Sequence, residues 1–281
     1  MVPGGEVMQG NSRNVIGKLG FSEPADFRPK FHANDTARDR LNVIPRAVTI
    51  EDARLRATPP TLDVDGFCLQ PHASAVRDFR DRTEIERVHV EEIRRLLLAA
   101  SGADQVVVTN VGVLRFGERS RESGAHNNSR PARFVHVDVS DTTAAAFYER
   151  SRPDNGRRVR RSAQYNVWRV LSQPPQDVPL AVCDARSLAP EDFIAADAMF
   201  DKDGEILFSF EAWLLRHNPG QRWVHFSNMR PDEALIFKTN DTDPSAAHCV
   251  PHGAFDNPDC PADVPPRVSL EMRGIAYWFE P

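Results

Sequence analysis

The chain has few of the features that would assign it to a membrane, secreted or nucleic-acid-binding class. Its longest apolar stretch, from Ile93 to Ala100, is interrupted by charges and is much shorter than the roughly 20 residues of a membrane-spanning helix. Residues 1–18 lack the apolar segment of a secretory signal peptide. Acidic residues outnumber basic ones, giving a net charge of −5 without a basic stripe for nucleic acid. We therefore expect neither a membrane span nor a nucleic-acid partner.

Cysteine is also scarce, with only Cys68, Cys183, Cys249 and Cys260. None of the four forms a C-x-x-C pair, so neither a zinc knuckle nor a disulfide framework is indicated. A cytoplasmic protein with reduced thiols is the resulting expectation. The chain contains no G-x-G-x-x-G, Walker A or G-x-S-x-G motif, which leaves dinucleotide, nucleoside-triphosphate and serine-hydrolase chemistry without support.

Proline, in contrast, is frequent, and its 22 copies favour short strands over a helical bundle because proline is excluded from helix interiors and central strands. Thr83 and Glu86 form a capping-box pattern that predicts the start of a helix, and Gly102 predicts its end. The remaining pattern is mainly one of β-branched strands separated by turn residues. Strands are predicted at 47–50, 66–69, 105–109, 111–115, 134–138, 165–170, 180–183, 205–213, 222–226, 234–238 and 267–278, and a second helix at 142–150.

This pattern predicts a mainly β protein with flanking helices, built on a double-stranded β-helix (jelly roll). No composition shift marks a domain boundary, so residues 1–281 are expected to form one domain. Within it, we expect residues 1–30 to be peripheral, residues 47–104 to support the core and residues 105–281 to form the jelly roll.

The first segment with chemical content is His136-Val137-Asp138, on a predicted strand. Residues i and i+2 of a strand point to the same face, so the imidazole and the carboxylate can converge on one metal ion. Two histidines and one carboxylate on one face of an octahedron suit oxygen-activating Fe(II). His252, which precedes the last strand, supplies the second histidine, and His248 is its rival.

Arg267 and Ser269 follow His252 and share one face of the last predicted strand. A guanidinium and a hydroxyl there can clamp the distal carboxylate of an oxoacid. Arg273 is an alternative clamp, because residue i+6 lies on the same face. An H-x-D strand, a late histidine and then R-x-S are, in that order, typical of a 2-oxoglutarate dioxygenase jelly roll.

Longer blocks of sequence extend this pattern and resemble a known family. They are 48–54 (VTIEDAR), 62–67 (LDVDGF), 165–169 (YNVWR), 179–184 (PLAVCD), 229–238 (MRPDEALIFK), 252–255 (HGAF) and 266–273 (PRVSLEMR). The chain resembles the non-haem iron oxygenases of secondary metabolism that include the cephamycin 7-methoxylation component, the gibberellin desaturase, and the aspergillic-acid-type and novofumigatonin-type oxygenases. The likeness extends over residues 47–278.

The resemblance implies an Fe(II)- and 2-oxoglutarate-dependent oxygenase that hydroxylates, desaturates or cyclises a small molecule. Fe(II), 2-oxoglutarate and O₂ are the expected cofactor and co-substrates. It also favours His252 over His248 as the distal iron ligand. The oligomeric state and the identity of the substrate stay open.

Two further residues, Asn166 and Arg169, lie on a predicted strand and are candidates for contacting the bound oxoacid or the substrate. Core packing of this strand is the competing interpretation. Two other functions also stay open. One is an iron oxidase of the same fold that uses O₂ without 2-oxoglutarate, and the other is a non-catalytic jelly-roll binding protein.

Overall fold

The computed structural model describes residues 14–281, which are mainly β with flanking helices, as the sequence predicts. The longer helices of this part of the chain are α2 (Val90–Ser101) and α3 (Asp141–Arg150), and a short helical turn, α1 (Arg82–Glu84), leads through the π-helical turn Ile85–His89 into α2. The strands, in chain order, are β1 (Val15–Ser22), β2 (Lys30–His32), β3 (Val43–Asp52), β4 (Phe67–Pro71), β5 (Gln105–Val108), β6 (Val113–Phe116), β7 (His136–Val137), β8 (Val159–Val170), β9 (Leu180–Cys183), β10 (Phe193–Lys202), β11 (Glu205–Leu215), β12 (Trp223–His225), β13 (Glu233–Asp241), β14 (His252–Ala254) and β15 (Val268–Phe279).

These strands form two sheets that pack face to face. The larger sheet has the order β1-β3-β12-β9-β14-β7-β11-β10-β2, and the smaller has the order β4-β13-β8-β15-β5, with β6 also paired to β15. Trp168 and Phe237 of the smaller sheet share an apolar cluster with Val182 and Val224 of the larger one. Most neighbouring strands in each sheet are distant in sequence, as in a jelly roll.

The outer face of the smaller sheet is covered by α2. Ile93 and Leu97 of this helix are buried against Val167 of β8 and Met272 of β15. The helix lies so close to β15 that a Cβ on Gly274 would come within 2.5 Å of Leu97 Cδ1. Each such side chain contributes roughly 1.5–3 kcal/mol when fully buried. This packing fixes β8 and β15, whose opposite faces look toward the larger sheet.

The predicted helix ends where expected but begins differently. Gly102 adopts a left-handed conformation with φ of +66° after the last turn of α2, which confirms the predicted glycine stop. The capping box at Thr83 is wrong, because Asp81 Oδ1 accepts hydrogen bonds from the backbone N–H groups of Thr83 and Glu84. Among residues 14–281, no helix is long and apolar enough to cross a membrane.

The described part of the segment 1–30, which is expected from the sequence to be peripheral, includes the edge strand of the larger sheet. β1 pairs along its whole length with β3 and buries Leu19 and Phe21 completely. Residues 1–13 lie outside the described part of the chain. The sheets also begin before residue 105, since β3 belongs to the larger sheet and β4 to the smaller. β1, β3 and β4 are therefore part of the two sheets, and they are held there by pairing with other strands.

Candidate metal centre

His136, Asp138 and His252 meet on the inner side of the larger sheet. His136 lies on β7 and pairs directly with His252 of β14, so the two ring centroids are 4.4 Å apart. Asp138 immediately follows β7, and its Oδ1 lies 3.6 Å from His136 Nε2. One ligand atom from each of the three residues falls within 4.8 Å of the other two. The structure therefore brings together the three predicted metal ligands.

Each imidazole is oriented by the main chain of its own segment. His136 Nδ1 lies 3.1 Å from the carbonyl oxygen of Phe134, and His252 Nδ1 lies 3.2 Å from that of Val250. A carbonyl oxygen only accepts, so in each pair Nδ1 carries the proton and the lone pair of Nε2 is left for a metal. Burial, reinforced by the neighbouring His136, lowers the pKa of His252 to about 3, so this ring is neutral at physiological pH.

The Asp138 carboxylate is held by two side chains of the opposite sheet. Asn166 Nδ2 donates to Oδ2 at 2.6 Å, and Arg273 Nη2 donates to Oδ1 at 3.2 Å. Burial raises the pKa of Asp138, but the charge of Arg273 and the nearby His136 and His252 lower it more, to well below its usual value. The group is therefore a carboxylate with two imidazoles beside it, the donor set of a two-histidine, one-carboxylate iron site.

The predicted clamp residues lie at the start of β15, on its inner side, and retain unused hydrogen-bonding capacity. Arg267 is almost completely buried, and its Nη1 donates to the carbonyl oxygen of Val178 at 2.7 Å. Within the described residues, Arg267 Nε and the fully buried Ser269 Oγ have no hydrogen-bond partner. Burial lowers the pKa of Arg267 to about 10, so its guanidinium is still charged at neutral pH. A buried cation beside an unpartnered hydroxyl suits an anionic ligand.

Two other residues considered from the sequence lie elsewhere. Arg169 is on the outer face of β8, where its Nη2 donates to the carbonyl oxygens of His72 at 2.6 Å and Pro231 at 2.8 Å. Asn166, three residues earlier, is on the inner face and reaches Asp138. His248 pairs with Asp141 at 2.8 Å and is not part of the histidine cluster. The structure thus brings Asn166 to the metal centre and does not bring Arg169 there.

A cleft with a cavity volume of about 80 Å³ opens beside His136 and Asp138. The sequence reasoning missed its lining, because most of these residues come from the edge strand β2, the hairpin of β10 and β11, and the loop before β7. No local motif distinguishes them from core residues. The lining includes Phe31, Phe134, Met199, Phe200, Phe210, Arg115 and Arg130. One apolar wall and three arginines, Arg115, Arg130 and Arg273, therefore line the space next to the histidine cluster.

A family model described as an oxidoreductase/YMDC permease-like domain matches residues 19–277 of the chain. The chain belongs to this family. Its relatives include the Fe(II)/2-oxoglutarate-dependent dioxygenase nvfI of Aspergillus novofumigatus, 29% identical over 252 residues that cover 84% of this chain and 85% of the relative. The hydroxylase/desaturase efuI of Hormonema carpetanum is 29% identical over 258 residues, covering 85% of this chain and 86% of the relative.

Solved structures show the same fold. The chain superimposes on the iron and alpha-ketoglutarate-dependent endoperoxidase NvfI with a TM-score of 0.82 and 24% identity, over 96% of this chain and 100% of that one. The predicted jelly roll is therefore confirmed. The resemblance to non-haem iron, 2-oxoglutarate-dependent oxygenases and the assignment to the oxidoreductases are confirmed by the relatives.

Proposed function

We propose that this protein is an Fe(II)- and 2-oxoglutarate-dependent oxygenase that hydroxylates, desaturates or cyclises a small organic molecule of secondary metabolism. The observation that carries the proposal is the convergence of His136, Asp138 and His252 beside a buried guanidinium and hydroxyl with unused hydrogen-bonding capacity. Relatives whose names specify this chemistry, and which match most of the chain, support it.

The metal-binding residues fit Fe(II) in both charge and orientation. Two imidazoles present Nε2 lone pairs, and the carboxylate of Asp138 supplies one negative charge, which leaves positions on the metal for other ligands. Bound there, Fe(II) would supply the reaction with O₂ that couples decarboxylation of 2-oxoglutarate to oxidation of a C–H bond. His136, Asp138 and His252 would hold the metal, and their burial would restrict the access of bulk water.

Arg267 and Ser269 would hold the distal carboxylate of 2-oxoglutarate. Arg267 offers Nε–H beside the unpartnered hydroxyl of Ser269, and a charged donor next to a neutral one is well suited to a carboxylate. The Arg267 guanidinium lies over the ring of Trp168, 5.6 Å from its centroid, in a cation–π contact that helps to position it. Trp168 shares an apolar cluster with Phe237, whose ring centroid is 4.6 Å from that of His252, so the clamp and the metal centre border the same interior.

The cleft next to the metal centre would bind the substrate. Phe31, Phe134, Phe200 and Phe210 offer an apolar wall for a carbon skeleton. Arg115 contributes donors from the same side of the cleft, and its Nη1 is held by neutral oxygens, including that of Asn128 Oδ1 at 3.0 Å. This lining suits a small molecule with an apolar body and a hydrogen-bond-accepting group.

We also propose that the chain works as a single oxygenase domain. The iron ligands belong to the larger sheet, while Asn166, Arg267 and Ser269 belong to the smaller sheet or its border. Neither sheet alone carries a complete site. The four cysteines are free thiols, which supports the proposal of a reducing compartment such as the cytoplasm.

The test is an anaerobic titration of metal-free protein with Fe(II) and then 2-oxoglutarate, followed by visible absorption spectroscopy. We expect a weak charge-transfer band that requires both additions in the wild type and is absent from His252→Ala. Arg267→Gln should need more 2-oxoglutarate to reach the same band. Arg169→Gln is the matched control, since it removes a buried guanidinium from the outer face and should leave the titration unchanged.

Two outcomes would contradict the proposal. If iron binds but 2-oxoglutarate never produces the band, the protein is an iron oxidase that works without the oxoacid, and Arg267 binds another anion. If the wild-type protein binds no iron, the catalytic proposal fails and a non-catalytic jelly-roll protein is the remaining interpretation.

A further inference from the structure

The Asp138 carboxylate lies where the two sheets meet, and both of its oxygens are already engaged. We infer that Asn166 and Arg273 are positioning residues that fix this carboxylate for the metal, with Glu271 holding Arg273 in place. This inference rests on the proposed function, because it assigns a role toward the metal that His136, Asp138 and His252 would bind.

The two donors come from directly opposed positions of neighbouring strands. Arg273 of β15 pairs in register with Asn166 of β8, so their side chains leave the smaller sheet on the same face. From there Asn166 reaches Oδ2 of Asp138 and Arg273 reaches Oδ1. Two donors on the two oxygens of one carboxylate restrict its rotation about the bond to Cβ.

Arg273 is itself restrained by a second carboxylate. Its Nη2 donates to Glu271 Oε1 at 2.7 Å as well as to Asp138 at 3.2 Å, and Glu271 is almost completely buried. If the guanidinium rotated away, two largely buried carboxylates would lose their charged donor, which is costly in a poorly solvated interior. Arg273 therefore has one strongly preferred position, and that position faces Asp138.

The three metal ligands are oriented by different kinds of group. His136 and His252 lie on paired strands, and each ring is oriented by a carbonyl oxygen two residues earlier in the chain. Asp138 follows the two-residue strand β7, and the two hydrogen bonds that orient its carboxylate are donated by side chains of the other sheet. Partners of this kind commonly tune metal affinity.

The same contacts distinguish Arg273 from the clamp residue Arg267. Arg273 already lies between two carboxylates, which would repel a third anionic group. Arg267 donates to a neutral carbonyl oxygen and has an unpartnered Nε within the described residues. The two arginines thus have separate tasks, one toward the metal ligand and one toward the oxoacid.

The experiment is an anaerobic Co(II) titration of metal-free protein, read by the visible d–d spectrum. Loss of an orienting partner commonly weakens metal binding by roughly 10–100-fold, and we expect this for Arg273→Gln and for Asn166→Leu. Their d–d bands should also shift, because the carboxylate would present differently to the metal. Arg273→Lys retains a cation and should lose less affinity than Arg273→Gln.

Arg169→Gln again serves as the matched control, because it removes a buried guanidinium from the same pair of strands without contact to Asp138. Its thermal stability should fall, while its Co(II) affinity and d–d spectrum should match those of the wild type. A purely structural role of Arg273 would give the same pattern as this control. If thermal melts show that Asn166→Leu or Arg273→Gln does not fold, Asn166→Ser and Arg273→Lys carry the same test.

The outcomes separate this inference from the proposed function. Absence of Co(II) and Fe(II) binding in the wild type would overturn the proposed function itself. Tight binding by the wild type with unchanged affinity and spectrum in the folded Asn166 and Arg273 variants would overturn the positioning role alone. Weakened binding with shifted bands in both variants, but not in Arg169→Gln, would support it.

Discussion

The two faces of the smaller sheet differ in the side chains that they bury, with mainly apolar packing against α2 on the outer face and a group of polar side chains beside the metal centre on the inner face. On the outer face, Val167, Leu270 and Met272 pack against α2 in a continuous apolar cluster. On the inner face, Asn166, Ser269 and Arg273 follow the same two strands, β8 and β15, yet Asn166 Oδ1, Ser269 Oγ and Arg273 Nε have no hydrogen-bond partner among residues 14–281.

The difference shows how stability and ligand binding are divided within one pair of strands. A buried polar atom without a partner costs roughly 1–3 kcal/mol, so the inner face carries an energetic penalty that a ligand can relieve. The outer face offsets this cost by burying apolar side chains. Arg169 is the exception on the outer face, since its guanidinium lies over the ring of Phe79 and its Nε and Nη1 also have no hydrogen-bond partner among residues 14–281. The following predictions test this division, from the largest expected effect to the smallest.

Leu97→Ala should damage stability and spare metal binding. Leu97 of α2 is fully buried against the outer face of the smaller sheet, and large-to-small changes at such sites cost about 2–5 kcal/mol. Urea unfolding of the metal-free protein measures the loss, and a Co(II) titration of the folded variant should match the wild type. Arg95→Ala, which truncates an exposed side chain of the same helix, should change stability by less than about 0.5 kcal/mol. Weaker metal binding in Leu97→Ala would show that the two faces are coupled.

His252→Ala should remove the stabilisation that metal provides. At a Co(II) concentration about 100 times the dissociation constant, binding to the native state adds about 2.7 kcal/mol to the free energy of unfolding. Urea unfolding with and without Co(II) should show this gain in the wild type and no gain in His252→Ala. His248→Ala, which removes a histidine outside the cluster, should keep the gain. Loss of the gain in His248→Ala, with the gain retained in His252→Ala, would show that His248 is the metal ligand.

Acid should destabilise the protein partly by protonating His89, which lies on the outer side of the smaller sheet. Burial lowers the pKa of His89 to about 4, although Glu92 opposes this effect, while an unfolded histidine titrates near 6.5. The unfolded state therefore binds more protons between these values, and stability falls as pH decreases from about 6.5 to about 4. We expect His89 to account for about 2 kcal/mol of loss between pH 7 and pH 5. Urea unfolding at both pH values should show a smaller loss in His89→Gln, and an equal loss would contradict the assignment.

Ser269→Ala should weaken 2-oxoglutarate binding without lowering the stability of the metal-free protein. The lost hydrogen bond is worth about 1 kcal/mol, or roughly a fivefold change in the dissociation constant. Because Ser269 Oγ is buried and has no partner in the described residues, its removal relieves a desolvation cost, and the metal-free variant should be at least as stable as the wild type in urea. Ser101→Ala is the control, since its Oγ donates to the carbonyl oxygen of Leu97 and accepts from the backbone N–H of Ala103, both at the end of α2 and away from the clamp. Unchanged 2-oxoglutarate affinity would exclude Ser269 from the clamp.

Local patterns predicted the parts of the fold in which neighbours along the chain decide the structure. The strand at 180–183 coincides with β9, and the predicted helix at 142–150 differs from α3 by one residue. The strand β10 (Phe193–Lys202) was missed because its alternation of small and charged residues resembles a loop, and it is held by pairing with β11 and β2. β1 was missed for a similar reason, since its glycines weaken the strand pattern and β3 supplies the pairing.

In the metal centre, too, short segments predicted the candidate residues, and pairing between distant strands decided which of them meet. The placement of His136 and Asp138 on one side follows from the two-residue period of a strand, and the preference for His252 came from sequence resemblance. His136 and His252 are close enough to share a metal ion only because β14 pairs with β7. Asn166 and Arg273 were candidates from the sequence, but their attachment to Asp138 requires the smaller sheet to face the larger one.

By itself, the sequence determined which side chains could act as metal ligands and oxoacid donors, because residue type and strand period are properties of a short segment. It also determined the end of α2 at Gly102, where a left-handed residue is needed. Only the tertiary structure decided which donors meet, since contacts between residues that are distant in the chain depend on strand order and on the packing of two sheets. The physical reason is that burial and hydrogen-bond satisfaction are properties of the assembled interior.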